Sequence, residues 1–297
     1  MHISEELLKL GSSCVGLGFF DGVHKGHKVI IDELVRLSKK NSSKSCLITF
    51  KKSPAEMFID NVKYLNLPDE KEKLISELGV DYLIRLDFNE ELMKLSADEY
   101  LKMVCAYFNP KYIVSGFNHT FGKHKTGNNT FLKEHERVYN YIYKEIPPVE
   151  SDGKVVSSTL IRENLTKGDI KIANKLLGYN YSIEGVVVEG NKIGRTIGFP
   201  TANIIYPNKK VEIPYGVYCA KVETKDKIYN GMLNYGIKPT INEDRTEPVA
   251  EVHIIGFNKD IYGEKIKISI IDKIRDEKKF NSIDELKNQI KEDLKQC

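Results

Sequence analysis

The spacing of apolar residues changes near residue 180, and this change limits the folds open to the chain. Before it, short apolar runs alternate with helical patterns, and the runs lie at 13–18, 45–50, 80–86 and 111–115. One of the helices between them begins with a capping box, Ser96-Ala-Asp-Glu99. Alternation of this kind favours a parallel sheet covered by helices, with ligands bound at the carboxyl ends of the strands.

After Tyr181 the runs are rich in β-forming residues and are separated only by turns. They lie at 181–188, 216–223, 227–234, 250–257 and 265–271. Close spacing without helical crossovers favours an antiparallel sheet or a small barrel. A last helix is predicted after Ser282, with Glu285 completing a capping box. We therefore predict two domains, 1–180 and 181–297, which suits a length of 297 residues.

Composition excludes several classes of protein. The net charge is only +3, which gives no reason to expect a nucleic-acid partner. No apolar stretch approaches the roughly 20 residues needed to cross a bilayer, and the first residues lack the apolar core of a signal peptide. The five cysteines form no CxxC pair, so we expect free thiols. The prediction is a cytoplasmic monomer or weak homo-oligomer.

The stretch FFDGVHKGHKVII, residues 19–31, directly follows the first apolar run and opens a helix. Such a turn aims free backbone N–H groups and the positive end of the helix dipole at one point, where phosphate binds well. His24 and His27 are three residues apart and lie on one helical face, with glycines at 22 and 26. Zinc would need further ligands, and the neighbouring cysteines lie at no metal-ligand spacing. Phosphate is the favoured ligand.

Two further stretches of the first half carry polar groups near a predicted strand or helix. Residues 115–128, SGFNHTFGKHKTGN, read alone as a flexible basic surface loop. Residues 157–165, SSTLIRENL, open a helix that Ser157 or Ser158 would cap. Arg162 lies one turn into that helix, where its guanidinium group can fork onto phosphate oxygens.

In the second half, EGNKIGRTIGFPTANI at 189–204 is the most informative stretch. Its glycines permit close approach of the backbone to a ligand. In an extended segment Thr201 and Asn203 lie on one face, where a hydroxyl and an amide oxygen can both reach a magnesium ion carrying nucleotide phosphates. Tight turns with one structural asparagine would explain the glycines, but not the presence of Arg195 beside Thr201.

The motifs FDGVHKGH, GFNHTFG and SSTLIR together resemble the bacterial bifunctional riboflavin kinase/FMN adenylyltransferases, also called FAD synthetases. Aminoacyl-tRNA synthetases, which share the HxGH element, fit less well because no KMSKS-like loop is present. The resemblance implies a Rossmann-like α/β nucleotidyltransferase domain in which the phosphate of FMN attacks the α-phosphate of ATP. It further implies that residues of these motifs bind nucleotide or stabilise charge: Asp21, Gly22, His24, Gly26, His27, Asn118, Ser158, Thr159 and Arg162.

The stretch at 189–204 resembles the GxGRxxGFPTAN element of riboflavin kinases, and the likeness continues through NYGIKPTI (234–241) and AEVHIIGF (250–257). The resemblance implies an antiparallel β-barrel with a terminal helix that moves the γ-phosphate of ATP to the 5′-hydroxyl of riboflavin. Glu251 would be the general base, although a salt-bridged strand carboxylate also fits its position. Thr201 and Asn203 would hold Mg²⁺. The other implied binding positions are Gly190, Gly194, Arg195, Gly198, Pro200 and Arg275.

The sequence thus predicts an enzyme that makes FMN from riboflavin and FAD from FMN, with ATP and Mg²⁺ for both steps. Two alternatives remain: a chain that retains one activity, the kinase, and a flavin-binding regulatory protein without turnover. Binding alone would not require intact phosphate-handling residues, and five are present: His24, His27, Thr201, Asn203 and Glu251.

Overall fold

The computed structural model describes residues 1–190, 193–237 and 248–297. These residues form two compact units that divide between Ser158 and Thr159. Parts of the NYGIKPTI segment and of the glycine-rich stretch at 189–204 lie outside the described residues.

The first unit is built on a six-stranded parallel sheet with the strand order β1-β4-β3-β2-β5-β6. The strands are β1 (His2–Ser4), β2 (Ser13–Leu17), β3 (Lys44–Phe50), β4 (Tyr82–Leu86), β5 (Pro110–Gly116) and β6 (Ile142–Ile146). The four strands predicted from apolar runs are confirmed. Strands β1 and β6 were not predicted, because β1 has only three residues and the apolar residues of β6 are interrupted by Lys144 and Glu145.

Helices cover both faces of this sheet. They are α1 (Lys25–Lys40), α2 (Pro68–Glu77), α3 (Glu90–Lys94), α4 (Ala97–Phe108), α5 (Asn129–Glu134) and α6 (Glu136–Tyr139), and a short hairpin, β7 (Glu150–Ser151) with β8 (Lys154–Val155), follows β6. Leu34 of α1 packs with Cys14 of β2 on one face, whereas Leu101 of α4 packs with Val15 on the other. Successive strand residues point to opposite faces, so a continuous apolar run fills both cores.

The second unit is an antiparallel sheet with the strand order β10-β13-β12-β11-β14-β9. Its strands are β9 (Ser182–Val186), β10 (Thr201–Ile205), β11 (Gly216–Glu223), β12 (Ile228–Ile237), β13 (Pro248–Ile254) and β14 (Lys265–Arg275). Just beyond β9, the Val188 N–H donates to the Asn203 carbonyl at 2.8 Å. This bond joins the two edges of the sheet and brings it close to a barrel, as predicted.

Among the described residues of this half, the helices beside the barrel are α7 (Ser158–Lys167), α8 (Ile170–Leu177), α9 (Ile193–Thr196) and α10 (Ile283–Leu294). At the start of α10 the Ser282 hydroxyl accepts from the Glu285 N–H at 3.1 Å, as predicted. The Glu285 carboxylate, however, accepts from the Asn281 N–H at 3.0 Å rather than from Ser282. The predicted capping box is therefore only half formed, because the carboxylate reaches one residue further back.

Helix α8 belongs with the barrel. The Asn174 amide donates to the Ile270 carbonyl of β14 at 2.9 Å, and its oxygen accepts from the Tyr181 N–H at 2.7 Å. Leu176 and Leu177 are buried. The compact units thus divide ahead of residue 180, whereas the predicted boundary between functional domains at 180 stays a prediction.

The cysteines differ from expectation. Cys219 of β11 and Cys297 form a disulfide, with the two Cα atoms 5.2 Å apart. Among the described residues Cys14, Cys46 and Cys105 are free thiols. The prediction of free thiols is wrong for the bonded pair, because these cysteines are 78 residues apart in sequence and meet only where α10 returns the chain end to β11.

We predict that a fragment of residues 159–297 is much more stable than one of residues 180–297. The shorter fragment loses the buried side chains of α8, worth about 1.5–3 kcal/mol for each of Ile170, Leu176 and Leu177. Thermal unfolding followed by circular dichroism measures the difference. Asn174→Ala in the longer fragment should lower its melting temperature partway, and equal stability of the two fragments would contradict the role given to α8.

Candidate functional site

The turn between β2 and α1 has a backbone that few side chains adopt. Phe20, Gly22 and Val23 have φ values of 58°, 86° and 34°. His24 caps α1, because its Nδ1 accepts from the His27 N–H at 3.3 Å. A Cβ at Gly26 would lie 3.2 Å from the His24 ring, so a larger residue there would crowd the cap. The first of the two histidines thus shapes the helix start.

The two predicted histidines do come together. The rings of His24 and His27 stack with centroids 3.6 Å apart, and Phe20 meets His27 edge-on at 5.3 Å. Within the described chain the buried Nδ1 atom of His27 has no hydrogen-bond partner. Burial, then the charges of His24 and Lys71, hold the pKa of His27 well below its usual range. Two imidazoles at a helix N-terminus are suited to donate N–H groups to an anion.

Asp21 has a structural environment. Its buried carboxylate accepts from the Leu65 N–H at 3.0 Å and from the Asn66 N–H at 3.3 Å. The Ser158 hydroxyl donates to the Asp21 carbonyl at 2.8 Å. Both contacts fix the turn that carries the histidines, so these two predicted residues also support the backbone of that turn.

Lys71 of α2 was missed by the sequence analysis. Its side chain is only 6 % exposed, and Nζ lies 3.3 Å from the Phe19 carbonyl, 3.4 Å from the Thr49 hydroxyl and 3.5 Å from the Phe50 carbonyl. No carboxylate of the described residues forms an ion pair with it. Burial lowers its pKa to about 8, although the Asp21 carboxylate acts in the opposite direction. In sequence Lys71 belongs to the charged run PDEKEK, which resembles a solvated helix face.

Asn118 follows β5 at the same sheet edge as the histidine turn, because Leu17 at the end of β2 pairs with Ser115 of β5. Its side chain is exposed, and a Cβ at Gly116 would lie 3.8 Å from its Oδ1. Thr159 and Arg162 belong to the other compact unit. Their predicted role beside the histidines therefore stays a prediction.

In the second unit the strands bring three predicted residues together. Strands β10 and β13 pair so that Asn203 lies opposite Glu251, and Thr201 lies two residues away on the same face. The Thr201 hydroxyl donates to Glu251 Oε1 at 2.6 Å. A Cβ at Gly190 would lie 2.4 Å from the Asn203 amide nitrogen, so a larger residue there would displace the Asn203 side chain.

Two cavities meet at Thr201. The smaller, about 350 Å³, is lined by predicted residues of the glycine-rich stretch (Gly190, Arg195, Pro200, Thr201 and Asn203) and by the segment 257–262. The larger, about 590 Å³, is lined by Gly194, Thr201, Glu251, Arg275, Phe280 and side chains of α10. Thr201 lines both cavities and Glu251 lies beside it, so a ligand in one cavity can reach a ligand in the other at this point. Gly198 lies in the turn before Pro200, with a φ of 90°.

The donor set beside the smaller cavity suits magnesium. Mg²⁺ takes oxygen ligands, keeps several waters and is usually held by a few protein groups together with substrate phosphates. The Thr201 hydroxyl and the buried Asn203 amide provide such oxygens. The described residues contain no cluster of three or more His, Cys, Asp or Glu side chains able to hold a metal by themselves, which is compatible with an ion that arrives with nucleotide.

In comparisons with known proteins, two different family models match the two halves of the chain. The family model for FAD synthetase matches residues 8–160, and that for riboflavin kinase matches residues 177–297. The chain is 38% identical over 295 residues to a bifunctional riboflavin kinase/FMN adenylyltransferase of Buchnera aphidicola subsp. Schizaphis graminum, covering 97% of this chain and 94% of that relative. It is 36% identical over 299 residues to the protein of the same name from Bacillus subtilis, covering 99% and 93%.

A solved structure is similar over the whole chain. A crystal structure named as a macrolide-efflux protein from Streptococcus pneumoniae has a TM-score of 0.89 and 35% identity, covering 97% of this chain and 94% of that chain. The name of that structure describes an activity different from those in the names of the two relatives above. Among the described residues no helix is both long and apolar enough to span a bilayer.

We predict that the buried ammonium group of Lys71 makes stability depend on pH. Its folded-state pKa of about 8 lies below the ordinary value of 10.5. Between these values the unfolded chain binds a proton that the folded chain has released, so stability rises with pH. Relative to Lys71→Met, the wild-type free energy of unfolding should rise by about 2 kcal/mol between pH 8 and pH 9.5.

Urea unfolding of both proteins at pH 7, 8 and 9.5 measures this difference. At pH 7 and below the lysine is almost fully protonated in both states, so the difference should change little there. Lys73→Met, on the exposed side of the same helix, is the control and should show no such change. A constant difference between wild type and Lys71→Met up to pH 9.5 would contradict the buried environment of Lys71.

Proposed function

The chain belongs to the bifunctional riboflavin kinase/FMN adenylyltransferase family and carries both catalytic domains, and on that basis we propose how its residues divide between the two reactions. The protein is an enzyme of flavin-cofactor biosynthesis that phosphorylates riboflavin and adenylylates FMN. The alternative functions, one retained activity or a regulatory protein without turnover, are not favoured by any residue of either site.

The adenylyltransfer reaction is assigned to the turn between β2 and α1. A phosphate oxygen of FMN attacks the α-phosphorus of ATP, the bond to the bridging oxygen breaks, and pyrophosphate leaves. His24 and His27 donate N–H groups to phosphate oxygens as negative charge develops, together with the amides of the α1 N-terminus. The stacking of the two imidazoles and the cap that His24 makes to the His27 N–H support this role, because the positions of the rings are set before substrate binds.

Other predicted residues complete the proposed adenylyltransferase site. Asn118 orients the reacting groups from the end of β5, and Asp21, Gly22 and Gly26 shape the nucleotide-binding turn. Ser158, Thr159 and Arg162 bind the departing pyrophosphate. These roles depend on how substrate enters and are offered as part of the proposal.

The kinase reaction is assigned to the two cavities that meet at Thr201. Riboflavin occupies the larger cavity and ATP the smaller one. Glu251 accepts the proton of the riboflavin 5′-hydroxyl, whose oxygen attacks the γ-phosphorus while the bond to ADP breaks. The observation that carries the assignment is the 2.6 Å hydrogen bond from Thr201 to Glu251 at the junction of the cavities. It orients the carboxylate toward the reacting groups, which matters most in phosphoryl transfer.

Magnesium is proposed as the cofactor of the kinase site, with Thr201 and Asn203 as its protein ligands. When bound, it would neutralise charge on the ATP phosphates. The backbone of Gly190, Gly194 and Gly198, with Arg195 and Pro200, surrounds the nucleotide, and Arg275 lies on the flavin side. ATP, riboflavin and FMN are the proposed partners.

The proposed compartment is the cytoplasm, where ATP is available. A disulfide such as Cys219–Cys297 is uncommon in reducing compartments, so the oxidation state of this pair in cells bears directly on that proposal. No nucleic-acid or membrane partner is proposed, and a monomer or weak homo-oligomer remains the expected state.

We predict that Glu251→Gln abolishes most kinase turnover without preventing substrate binding. The amide keeps the shape of the side chain and can still accept from Thr201, but it cannot take up the hydroxyl proton. Riboflavin phosphorylation should fall by roughly two to four orders of magnitude. Chromatography of the flavins after incubation with riboflavin, ATP and magnesium measures the rate.

Two controls separate chemistry from folding in this variant. FAD formation from supplied FMN should be unchanged, and Glu223→Gln, at an exposed position of β11, should leave both activities intact. If Glu251 is instead a structural strand carboxylate, the melting temperature falls and turnover stays within a few fold, which would overturn its assignment as base.

We predict the reverse pattern for a double change of His24 and His27 to Ala. Loss of the two donors should reduce FAD formation by at least roughly a thousandfold, while riboflavin phosphorylation continues and FMN accumulates. The same chromatographic assay reports both products. His2→Ala, in the edge strand β1, is the control. Equal loss of both activities in a folded double variant would contradict separate sites.

A further inference from the structure

A buried carboxylate lies beside the larger cavity of the second unit. Asp293, near the end of α10, is only 1 % exposed. Its two oxygens share the Nε–H group of Arg275, at 3.2 Å to Oδ1 and 2.9 Å to Oδ2, and Oδ1 also accepts from the Gln289 amide at 2.8 Å. Nη2 of Arg275 forms an ion pair with Oδ2 at 2.8 Å, so two nitrogens of the guanidinium group face one carboxylate and have little freedom to turn.

Arg275 passes this constraint to the wall of the cavity. It ends β14, its remaining Nη1 donates to the Asp276 carbonyl at 3.0 Å, and its guanidinium carbon lies 5.7 Å from the centre of the Phe280 ring. Residues 277–280 line the same cavity as Glu251. Both ends of the segment 276–280 therefore contact Arg275, through the Asp276 carbonyl at one end and the Phe280 ring at the other.

The helix itself has another anchor. The chain end beyond α10 is bonded to β11 through the Cys219–Cys297 disulfide. Replacement of a buried ion pair by apolar residues is often neutral or stabilising. A charge at position 293 is thus not required to attach α10, and its contact with Arg275 points to another use.

We propose that Asp293 is a positioning residue of the kinase reaction, which holds Arg275 and through it the segment 276–280 against riboflavin. The inference rests on the proposed assignment of the larger cavity to riboflavin. Without the carboxylate, Arg275 is free to rotate away from Asp276 and Phe280, and the cavity wall loses its fixed shape. The effect falls on riboflavin binding more than on the transfer of phosphate.

The test is Asp293→Asn in the full chain, with riboflavin phosphorylation, FAD formation from FMN and melting temperature measured together. The expected result is a KM for riboflavin raised roughly 10- to 100-fold, consistent with loss of one charge-assisted contact. The KM for ATP and the rate of FAD formation should stay within about twofold. Asp293→Glu, which keeps the charge, should recover most of the riboflavin affinity.

A double-mutant cycle with Arg275→Lys tests whether Asp293 acts through the arginine. A lysine cannot place two nitrogens against the Asp293 carboxylate. The riboflavin KM of the double variant should therefore resemble that of the worse single variant rather than show the product of both effects. Asp272→Asn is the matched control, because this carboxylate of β14 is partly exposed and pairs with Lys171. It should leave the KM for riboflavin unchanged.

Each remaining outcome decides the question. A lower melting temperature with an unchanged KM for riboflavin would make Asp293 a structural residue and overturn the proposal. If Asp293→Asn does not fold, Arg275→Lys alone weakens the same contact with Asp293 in place, and an unchanged riboflavin KM there would overturn the proposal as well. Absence of phosphorylation by the wild-type protein would instead refute the proposed function, which keeps the two failures distinct.

Discussion

The pairing of β10 with β13 is the constraint on which the proposed kinase site depends. Antiparallel strands present every second residue to one face, and the register sets Asn203 opposite Glu251 with Thr201 diagonal to it. A slip of one residue would turn these side chains to the other face and separate hydroxyl from carboxylate. The bond that closes the sheet, from Val188 to Asn203, lies at the same point. Strand β10 therefore both closes the barrel and carries residues of the site.

The first unit provides for an anion by a different physical route. The carboxyl ends of parallel strands lead into turns, so binding groups come from the turn and the helix that follow β2. The backbone of the turn has a positive φ at three of the four positions 20–23. The Asp21 carboxylate bonds this turn to the segment before α2. Burial keeps His27 weakly basic and lowers the pKa of Lys71. A neutral His27 is less costly to hold without an anion than an imidazolium would be.

In both units carboxylates that do no proposed chemistry constrain the residues that do. Asp21 accepts from backbone amides below the histidine turn, and Asp293 holds Arg275 beside the larger cavity. Each is almost fully buried, and each is satisfied by donors that define a single geometry. Burial makes such contacts strong and directional, whereas an exposed ion pair contributes little. The proposed reacting groups in both halves thus depend on polar contacts with residues that lie outside the recognisable motifs.

Local spacing along the sequence was enough to predict the two-part architecture, the four central strands of the first unit and the shared face of Thr201 and Asn203, because side-chain direction in strands and helices repeats every two or about 3.6 residues. Glu251 was identified through the family resemblance, and its contact with Thr201 is set by the pairing of β10 with β13. The buried position of Lys71, the pairing of Asp293 with Arg275 and the disulfide of Cys219 with Cys297 had no such local signal. Each joins residues that are distant along the chain, and the same residue types occur throughout its charged surface. Only the folding of the sheets, which decides which distant segments meet and which charges leave water, set these contacts.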